Sequence, residues 1–363
     1  MKNTFGNNIS VTLFGESHGE AIGAVIDGLP AGIKVDEDFI RHQLSLRRPV
    51  GKISTPRHEA DEVRFLSGIF NGHTTGTSIA IVIENTNTHS ADYASTRFLA
   101  RPGHADYTAY CKYKGYEDYR GGGHFSGRIT AALVAAGAVI MSALKDKGVE
   151  IGTHISHIHG VCDREFVNIN DDIRALSDKE FAVLDADVEA KMKCEITAAR
   201  EKGDSVGGVL ETAVVGIPAG VGEPWFDSLE GVLSHILFSV PAVKGVEFGR
   251  GFDISKLYGS EANDPFRVEN GKVITETNNN GGINGGISNG MPIVFRCAVK
   301  PTPTIFREQN TVDFEKNENA VLSMGGRHDP CIVHRARVVV DSVTAISLAD
   351  MLVTKFGTDW LCQ

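Results

Sequence analysis

The longest apolar stretch of the chain reads AALVAAGAVIMSAL and occupies residues 131–144. It is rich in alanine, which favours helix, and Gly148 follows as a stop signal, so we predict a long helix that runs to about Lys147. Lys145 closes the apolar run before it is long enough to cross a bilayer. The stretch therefore predicts a packed core helix of a globular protein.

Short apolar and β-branched segments on either side of this helix predict strands. They occupy residues 9–14, 21–26, 77–84, 206–215, 292–299 and 337–343. Further helices are predicted from Asp36 to the break at Pro49, over residues 185–202, from a cap at Asp227 to Pro241, and over residues 345–356. The alternation of strands and helices indicates an α/β fold. No linker is rich enough in proline, serine or charge to mark a boundary, so residues 1–363 are expected to form a single domain.

Composition limits the partners and the compartment. With 363 residues and 42% hydrophobic content the chain can bury a substantial core, and its net charge of −10 argues against a nucleic-acid partner. Six cysteines are scattered without a C-x-x-C pair, which is typical of reduced thiols. The first residues contain no apolar signal core. We expect a cytoplasmic protein without membrane attachment.

Polar side chains concentrate in three islands that lie far apart along the chain. Residues 15–19 read GESHG, residues 101–106 read RPGHAD and residues 325–331 read GGRHDPC. Each island pairs histidine with an acid or a hydroxyl between turn-forming residues, which is typical of loops that carry general acids and bases. Guanidinium groups that bind carboxylates and phosphates lie in or beside the islands, at Arg47, Arg101, Arg128, Arg327 and Arg335. The pattern indicates an enzyme that acts on a small anionic substrate.

Two motifs could indicate other functions. Residues 15–19 match the G-x-S-x-G motif of serine hydrolases, but a nucleophile elbow joins a strand to a helix, and here a second strand is predicted to follow. The triplet Gly121-Gly122-Gly123 precedes the long helix and suits a phosphate site at a helix N-terminus, although glycine-rich turns are as common without one. No P-loop is present, and no G-x-G-x-x-G opens a strand–helix–strand unit.

Three histidines outside the islands and the cysteine of the third island are candidate metal ligands or nucleophiles. His154, His157 and His159 lie close together, but no carboxylate lies at ligand spacing, so an exposed strand is the favoured interpretation. Cys331 has no basic partner nearby in the sequence, and we interpret it as structural. No metal site is predicted.

With these residues in view, the chain closely resembles the chorismate synthase family over nearly its full length. The matching motifs occur in order: GESHG at 15–19, RPGHAD at 101–106, the glycine-triplet segment to Arg128, PAVKG at 241–245, NGGIS at 284–288, KPT at 300–302 and RHDP at 327–330. The resemblance implies a carbon–oxygen lyase acting on phosphate, in the shikimate pathway to aromatic amino acids. The implied reaction converts 5-enolpyruvylshikimate 3-phosphate to chorismate and phosphate. It requires reduced FMN without net redox change, and whether NADPH reduces the flavin on this protein stays open.

The resemblance also implies roles for the matching residues. His104 would keep the reduced flavin in its required protonation state, and His18 would protonate the leaving phosphate. Ser17 and Asp329 would relay the substrate proton. The substrate would be bound by the cations Arg47, Lys52, Arg101, Arg128, Arg327 and Arg335. FMN would lie against His124, Phe125, Ser126, Pro241, Ala242, Gly285, Lys300, Pro301, Thr302, Pro303, Thr304 and Arg327.

The fold implied by the resemblance is a β-α-β sandwich, with helices layered between or against antiparallel sheets, assembled as a homotetramer. The sequence of residues 282–287 is weakly similar to that of residues 72–76, which would suit a fold of two similar halves. The chain departs from the common family pattern at His124, Ile129 and Lys52, where arginine, glutamate and arginine are frequent. Two alternatives stay open: a phosphate-releasing lyase or hydrolase that uses no flavin, and a non-catalytic flavin-binding protein.

Overall fold

A computed structural model of the chain describes residues 2–49, 51–54, 60–86, 96–324 and 329–362, without the side chain of Lys52. The expectations for Arg327 and for the Lys52 side chain therefore lie outside the described residues. Within the described ranges the α-helices are α1 Glu37–Leu46, α2 Asp106–Tyr113, α3 Thr130–Asp146, α4 Ile169–Leu176, α5 Ala186–Glu201, α6 Leu229–Leu237, α7 Gly259–Ala262 and α8 Val333–Phe356.

Strands make up much of the remaining described chain. They are β1 Thr4–Phe5, β2 Ser10–Gly15, β3 Ala21–Asp27, β4 Ala31–Lys34, β5 Val63–Phe65, β6 Ile69–Phe70, β7 His73–Thr75, β8 Ile79–Glu84, β9 Glu150–Ile158, β10 Val161–Cys162, β11 Gly208–Val215, β12 Val243–Phe248, β13 Phe266–Glu269, β14 Lys272–Thr275, β15 Ile283–Asn284, β16 Ile287–Ser288, β17 Ile293–Val299, β18 Gln309–Asp313 and β19 Glu318–Leu322.

Two antiparallel five-stranded sheets enclose the core helices. The first sheet has the order β1-β2-β3-β8-β5, and the second has the order β10-β9-β11-β17-β12. Helix α3 packs against β3 and β8, helix α8 packs against β9 and β11, and the two helices pack on each other. This layering confirms the expected α/β sandwich with antiparallel sheets. Each half of the chain supplies one sheet and then one long helix, but the predicted similarity of the two halves stays a prediction.

The two core helices approach most closely at Gly137. A Cβ atom added to Gly137 would lie 2.3 Å from the Cβ and 2.6 Å from the Cα of Ser342. Only glycine permits this separation, because any side chain at position 137 would overlap the backbone of α8. The segment Gly127–Asp146 is long and apolar enough to cross a membrane by composition, yet 83% of its apolar window is buried inside the protein. It is therefore a core helix, as predicted.

One predicted strand is wrong. Residues 337–343 belong to α8, which also contains the predicted helix over residues 345–356. The run Val338-Val339-Val340 is β-branched and shows no helical periodicity, because nearly every side of α8 is buried. The predicted cap at Asp227 is also displaced by one residue, since Ser228 Oγ accepts the hydrogen bond from the Gly231 amide.

The other predicted elements agree with the structure within a few residues. The strands over residues 9–14, 21–26, 77–84, 206–215 and 292–299 correspond to β2, β3, β8, β11 and β17. Asp36 caps α1 as predicted, because its carboxylate accepts a hydrogen bond from the Phe39 amide at 2.9 Å. Cys331 is fully buried, and burial raises the pKa of its thiol to about 12, which supports its structural interpretation.

His154 is not on an exposed strand, contrary to the prediction. Its side chain is fully buried between two carboxylates, with Nδ1 2.9 Å from Asp163 Oδ2 and Nε2 2.9 Å from Glu211 Oε2. Burial by itself lowers the pKa of His154, but the hydrogen bonds to the two carboxylates raise it above the ordinary value of 6.5. Among the described residues no group of three or more His, Cys, Asp or Glu side chains is arranged so that it could hold a metal ion.

We predict that Gly137→Ala destabilises the protein by about 1–3 kcal/mol, because the added methyl group must separate α3 from α8. Helix propensity alone would give the opposite sign, since alanine is favoured over glycine by about 1 kcal/mol. Urea unfolding would measure the change. Gly259→Ala is the control, because an added Cβ there meets no atom within 4 Å. Equal stability of the two variants would contradict the close-packing argument.

We predict that the stabilisation due to His154 decreases as pH rises. Its pKa is raised in the folded state, so its contribution is complete below about pH 6.5 and is lost as pH rises through the folded-state pKa. The difference in free energy of unfolding between the wild type and His154→Gln should therefore be largest at low pH. His159→Gln is the control, because His159 is 67% exposed. A pH-independent difference for His154→Gln would refute the charged network.

Candidate active site

A cavity of about 600 Å³ lies at the N-terminal ends of both core helices. Thr130 begins α3 and Arg335 lies in the first turn of α8, and both line the cavity. Residues 47–49, 103–105, 125–128, 238–244 and 302–304 also contribute to its wall. The N-terminal end of a helix carries partial positive charge, so this position favours anions.

The wall of the cavity is basic although the chain is acidic. Its cationic side chains are Arg47, Arg48, Arg128, Lys244, Lys300 and Arg335, and its carboxylates within the described residues are Asp61 and Asp329. Burial lowers the pKa of Lys300, and the neighbouring positive charge of Lys244 lowers it further. Cations in this excess attract a ligand that carries several negative charges.

Asp61 holds two of the arginines in place. Its carboxylate accepts a hydrogen bond from Arg128 Nη1 and lies 3.6 Å from Arg47 Nη1. Arg47 is further fixed by donating to Thr130 Oγ1 at 2.9 Å and to the Gly127 carbonyl at 2.7 Å. Asp61 adopts a left-handed backbone conformation with φ of 50°, which is costly for a residue other than glycine. The arginines are therefore oriented by the protein itself.

Asp329, from the third island, pairs with Arg335. Arg335 Nη1 donates to Asp329 Oδ2 at 2.5 Å, and Arg335 Nε donates to the Arg47 carbonyl at 2.8 Å. Both Asp329 and Arg335 line the cavity. Arg335 therefore links the start of α8 to the end of α1, and its pair with Asp329 lies at the cavity.

His104, from the second island, is oriented by an ion pair. Its Nδ1 lies 2.8 Å from Asp106 Oδ1, and the same carboxylate accepts from Arg101 Nε at 2.8 Å and Arg101 Nη2 at 2.6 Å. Burial by itself raises the pKa of Asp106, but the hydrogen bonds from Arg101 and His104 lower it far below its usual range. Because Asp106 is charged, we assign the imidazole proton to Nδ1, which leaves Nε2 for proton transfer.

The glycine triplet packs between the two predicted catalytic histidines. A Cβ at Gly121 would lie 2.1 Å from His18 Cε1, and a Cβ at Gly122 would lie 3.0 Å from His104 Cε1. All three glycines have positive φ, between 53° and 87°. The triplet is not the N-terminus of α3, which begins only at Thr130, so its interpretation as a helix-terminal phosphate site is wrong. Its glycines instead let histidines from the first two islands pack against one turn.

The first island connects two strands. Residues 16–20 join β2 to β3, which pair antiparallel, so the strand-to-helix elbow of a serine hydrolase is absent here. Ser17 and His18 are 1% and 6% exposed, and the Ser17 amide donates to the Gly123 carbonyl at 3.1 Å. Neither side chain lines the described wall of the cavity, and both adjoin Gly121 of the triplet.

Most predicted cofactor positions meet at the cavity. Those that line it are Phe125, Ser126, Pro241, Ala242, Lys300, Thr302, Pro303 and Thr304. Ala242 has φ of 75°, and its carbonyl accepts from the Lys300 amide at 2.9 Å. A Cβ at Gly103 would lie 3.3 Å from Pro303 Cβ, so the turn that carries His104 packs directly on this stretch.

Comparisons with known proteins agree on one family. The family model for chorismate synthase matches residues 9–353. A chorismate synthase of Thermococcus kodakarensis is 44% identical over 350 residues, which cover 96% of this chain and 97% of that protein. A chorismate synthase of Dehalococcoides mccartyi is 46% identical over 353 residues, which cover 97% of this chain and 96% of that protein. A chorismate synthase crystal structure matches with a TM-score of 0.75 at 30% identity, over 97% of this chain and 94% of that chain.

The chain belongs to the chorismate synthase family. Its function is that of a chorismate synthase, a carbon–oxygen lyase that acts on phosphate. The resemblance inferred from the ordered motifs is confirmed.

Two described departures from the common chorismate synthase pattern have structural explanations. His124 Nδ1 lies 2.8 Å from the Gly15 carbonyl, so the ring donates a hydrogen bond to the end of β2. Ile129 is 5% exposed and belongs to the hydrophobic core. His124 therefore supports the first island in this chain, and Ile129 contributes packing.

Several predicted chorismate synthase site residues do not line the cavity within the described chain. Besides Ser17 and His18, these are Arg101, His124, Gly285 and Pro301. Arg101 instead pairs with Asp106. Gly285 lies between β15 and β16, next to Gly286, whose carbonyl accepts from Leu229 at the start of α6. Phe238, at the other end of α6, lines the cavity, so about 13 Å of helix separates the two regions.

Sequence reasoning missed three charged residues of the cavity. Lys244 lies within the PAVKG motif, and Arg48 directly follows Arg47, so both had a local signal. Asp61 had none, because nothing in the sequence indicates that it meets Arg128. Asp106 lies in the second island, but the sequence does not show that it orients His104.

We predict that Gly121→Ala lowers the turnover number on the order of 10²-fold, because the added Cβ displaces the His18 ring. Gly72→Ala is a matched control. Gly72 has φ of 72° with no atom within 4 Å of an added Cβ, so it carries only the backbone cost of about 1–2 kcal/mol. Steady-state kinetics and urea unfolding would separate the two effects. Equal turnover by the two variants would contradict the role of the triplet.

Proposed function

We propose that the cavity binds 5-enolpyruvylshikimate 3-phosphate beside reduced FMN. The two histidines at the glycine triplet, His18 and His104, would supply protons to the leaving phosphate and to the cofactor. The observation that carries the proposal is the basic cavity at the N-terminal ends of α3 and α8, with His104 in its wall. The substrate carries a phosphate and two carboxylates, and six cations face two carboxylates in the described wall. The family uses reduced FMN.

Buried groups in the cavity support a fit to a phosphorylated flavin. Thr302 Oγ1 and Arg48 Nε are buried and lack hydrogen-bond partners among the described residues, and both residues line the cavity. Buried donors without partners are costly, so they favour a ligand with acceptor oxygens. Phe125, Pro241 and Ala242 add apolar surface for a flat ring system.

The cations would bind the anionic groups and stabilise the departing phosphate. The reaction breaks a C–O and a C–H bond and forms a C=C bond, so phosphate and a proton leave without net oxidation. Arg47 and Arg128 are held by Asp61, and Arg335 is held by Asp329, so these donors are oriented before the substrate binds. Preoriented charges stabilise developing negative charge without reorganisation. When bound, reduced FMN supplies electron density that helps the C–O bond to break.

His104 would hold a proton for the cofactor through Nε2. Its Nδ1 is held by Asp106, whose charge is maintained by Arg101. A carboxylate that holds one imidazole nitrogen fixes the orientation of the other. This arrangement gives Arg101 a supporting role in place of the substrate contact inferred from the sequence.

His18 would protonate the leaving phosphate from behind the glycine triplet, and Ser17 and Asp329 would relay the substrate proton. His18 and His104 both adjoin the triplet, which supports their action on one reaction centre. Asp329 lines the cavity in contact with Arg335. Ser17 is buried beside Gly121, with its Oγ 3.1 Å from an added Cβ at that position.

We also infer a single-domain homotetramer in the cytoplasm. One continuous hydrophobic core that includes both sheets and both long helices supports the single domain. Exposed aromatic side chains support self-association, at Trp225, Phe226, Phe252, Tyr258 and Phe266. All six cysteines are free, which suits a reducing compartment.

The experiment that tests the proposed function is an anaerobic assay of chorismate formation from 5-enolpyruvylshikimate 3-phosphate. It compares dithionite-reduced FMN, oxidised FMN and no flavin. Product is expected only with reduced FMN, and His104→Ala should lower turnover by about 10²-fold or more, because proton transfer through Nε2 is lost.

His159→Ala serves as the control, because His159 is exposed and pairs with Glu195 away from the cavity. Chorismate formation without flavin would overturn the cofactor assignment. Full activity of folded His104→Ala would overturn the role of His104 alone.

A further inference from the structure

Asn85 makes contacts at both ends of the turn that carries Ser17 and His18. Its Nδ2 donates to the Glu16 carbonyl and to the Gly19 carbonyl, each at 2.9 Å. Its backbone amide donates to the Glu20 carbonyl at 3.0 Å, which extends the pairing of β8 with β3. The side chain is half-buried, and both of its amide protons are used within the protein.

The side-chain oxygen of Asn85 contacts an arginine of the cavity wall. Asn85 Oδ1 accepts from Arg128 Nε at 3.0 Å, and Arg128 in turn donates to Asp61 and lines the cavity. The orientation of the amide is thereby determined, since the reverse orientation would place its donors against a guanidinium and its oxygen against two carbonyls. Asn85 is thus a direct connection between a cavity arginine and the His18 turn.

The turn has other supports, and they do not replace Asn85. The Gly19 amide donates to the Glu16 carbonyl at 3.1 Å, and His124 Nδ1 donates to the Gly15 carbonyl at 2.8 Å. These contacts close the turn and fix its first residue. The Asn85 side chain contacts both ends of the segment around Ser17 and His18 and also the cavity arginine Arg128.

We propose that Asn85 is a positioning residue that holds His18 in its working orientation and couples it to Arg128. The inference rests on the proposed role of His18 in phosphate release. A ligand anion that binds Arg128 then contacts a guanidinium whose Nε already donates to Asn85, and Asn85 in turn contacts the His18 turn. Small displacements of a proton-transferring group cost large factors in rate, so the effect is expected in turnover more than in substrate binding.

Asn85→Asp separates the two contacts of the side chain. The carboxylate keeps the size and the acceptor for Arg128 Nε but cannot donate to Glu16 and Gly19. We expect turnover to fall on the order of 10²-fold, with KM for the phosphorylated substrate within about twofold of the wild type. Asn85→Ala removes the acceptor as well, so it should lower turnover and also raise KM.

A double-mutant cycle with His18→Ala tests whether Asn85 acts through His18. If it does, His18→Ala/Asn85→Asp should be no slower than His18→Ala alone. Asn270→Asp is the matched control, because Asn270 lies in the exposed β13–β14 turn, where Asn-Gly and Asp-Gly are both favourable. All variants are assayed anaerobically with reduced FMN after a check of their unfolding midpoints.

The outcomes are distinguishable. Asn85→Asp with turnover within about threefold of the wild type overturns the positioning role, and so does a full additional loss in the double variant. A slow His18→Ala leaves the proposed function intact in either case. A His18→Ala variant with wild-type turnover contradicts the role of His18 itself, and the inference about Asn85 is overturned with it.

Discussion

The contact between α3 and α8 at Gly137 and Ser342 is the constraint on which the rest of the structure depends. A missing side chain at position 137 lets the two helix backbones meet, and the two sheets then close over opposite sides of the pair. The N-terminal ends of both helices lie at the same cavity. Arg128 just before α3 and Arg335 at the start of α8 are thereby brought together from distant parts of the chain, where the helix ends also favour anions.

Carboxylates in the basic region pair with its arginines and so reduce the cost of burying these cations. Unpaired buried guanidinium groups would be costly, and Asp61, Asp106 and Asp329 each accept from at least one arginine. The pairs with Asp61 and Asp329 orient arginines towards the cavity, whereas the pair with Asp106 orients His104. The same kind of ion pair therefore supports both the proposed anion binding and the proposed proton transfer, and it explains how an acidic protein holds a strongly basic cavity.

The glycine triplet lets side chains from distant loops of the chain pack together. Ser17 and His18 come from a β2–β3 turn, and His104 comes from the loop before α2, so neither local structure nor chain connectivity brings them together. Positive φ at residues 121–123 and the absence of side chains allow both histidines to pack on the same turn. The Asn85 contact and the His124 contact then fix the first island from its other side.

The sequence by itself determined the family, the three polar islands, five strands of the two main sheets and the nature of the core helix, because these depend on local motifs, periodicity and composition. It misassigned residues 337–343, since a β-branched run buried on all sides loses the periodicity that distinguishes helix from strand. It could not reveal that Asp61 pairs with Arg128, that Arg101 supports His104, or that Asn85 spans the first island. Those contacts either join residues that are far apart in the chain or depend on the orientation of a guanidinium group. The tertiary structure decides them, because strand pairing and the packing of α3 against α8 between the two sheets set the distances over which charges and hydrogen bonds act.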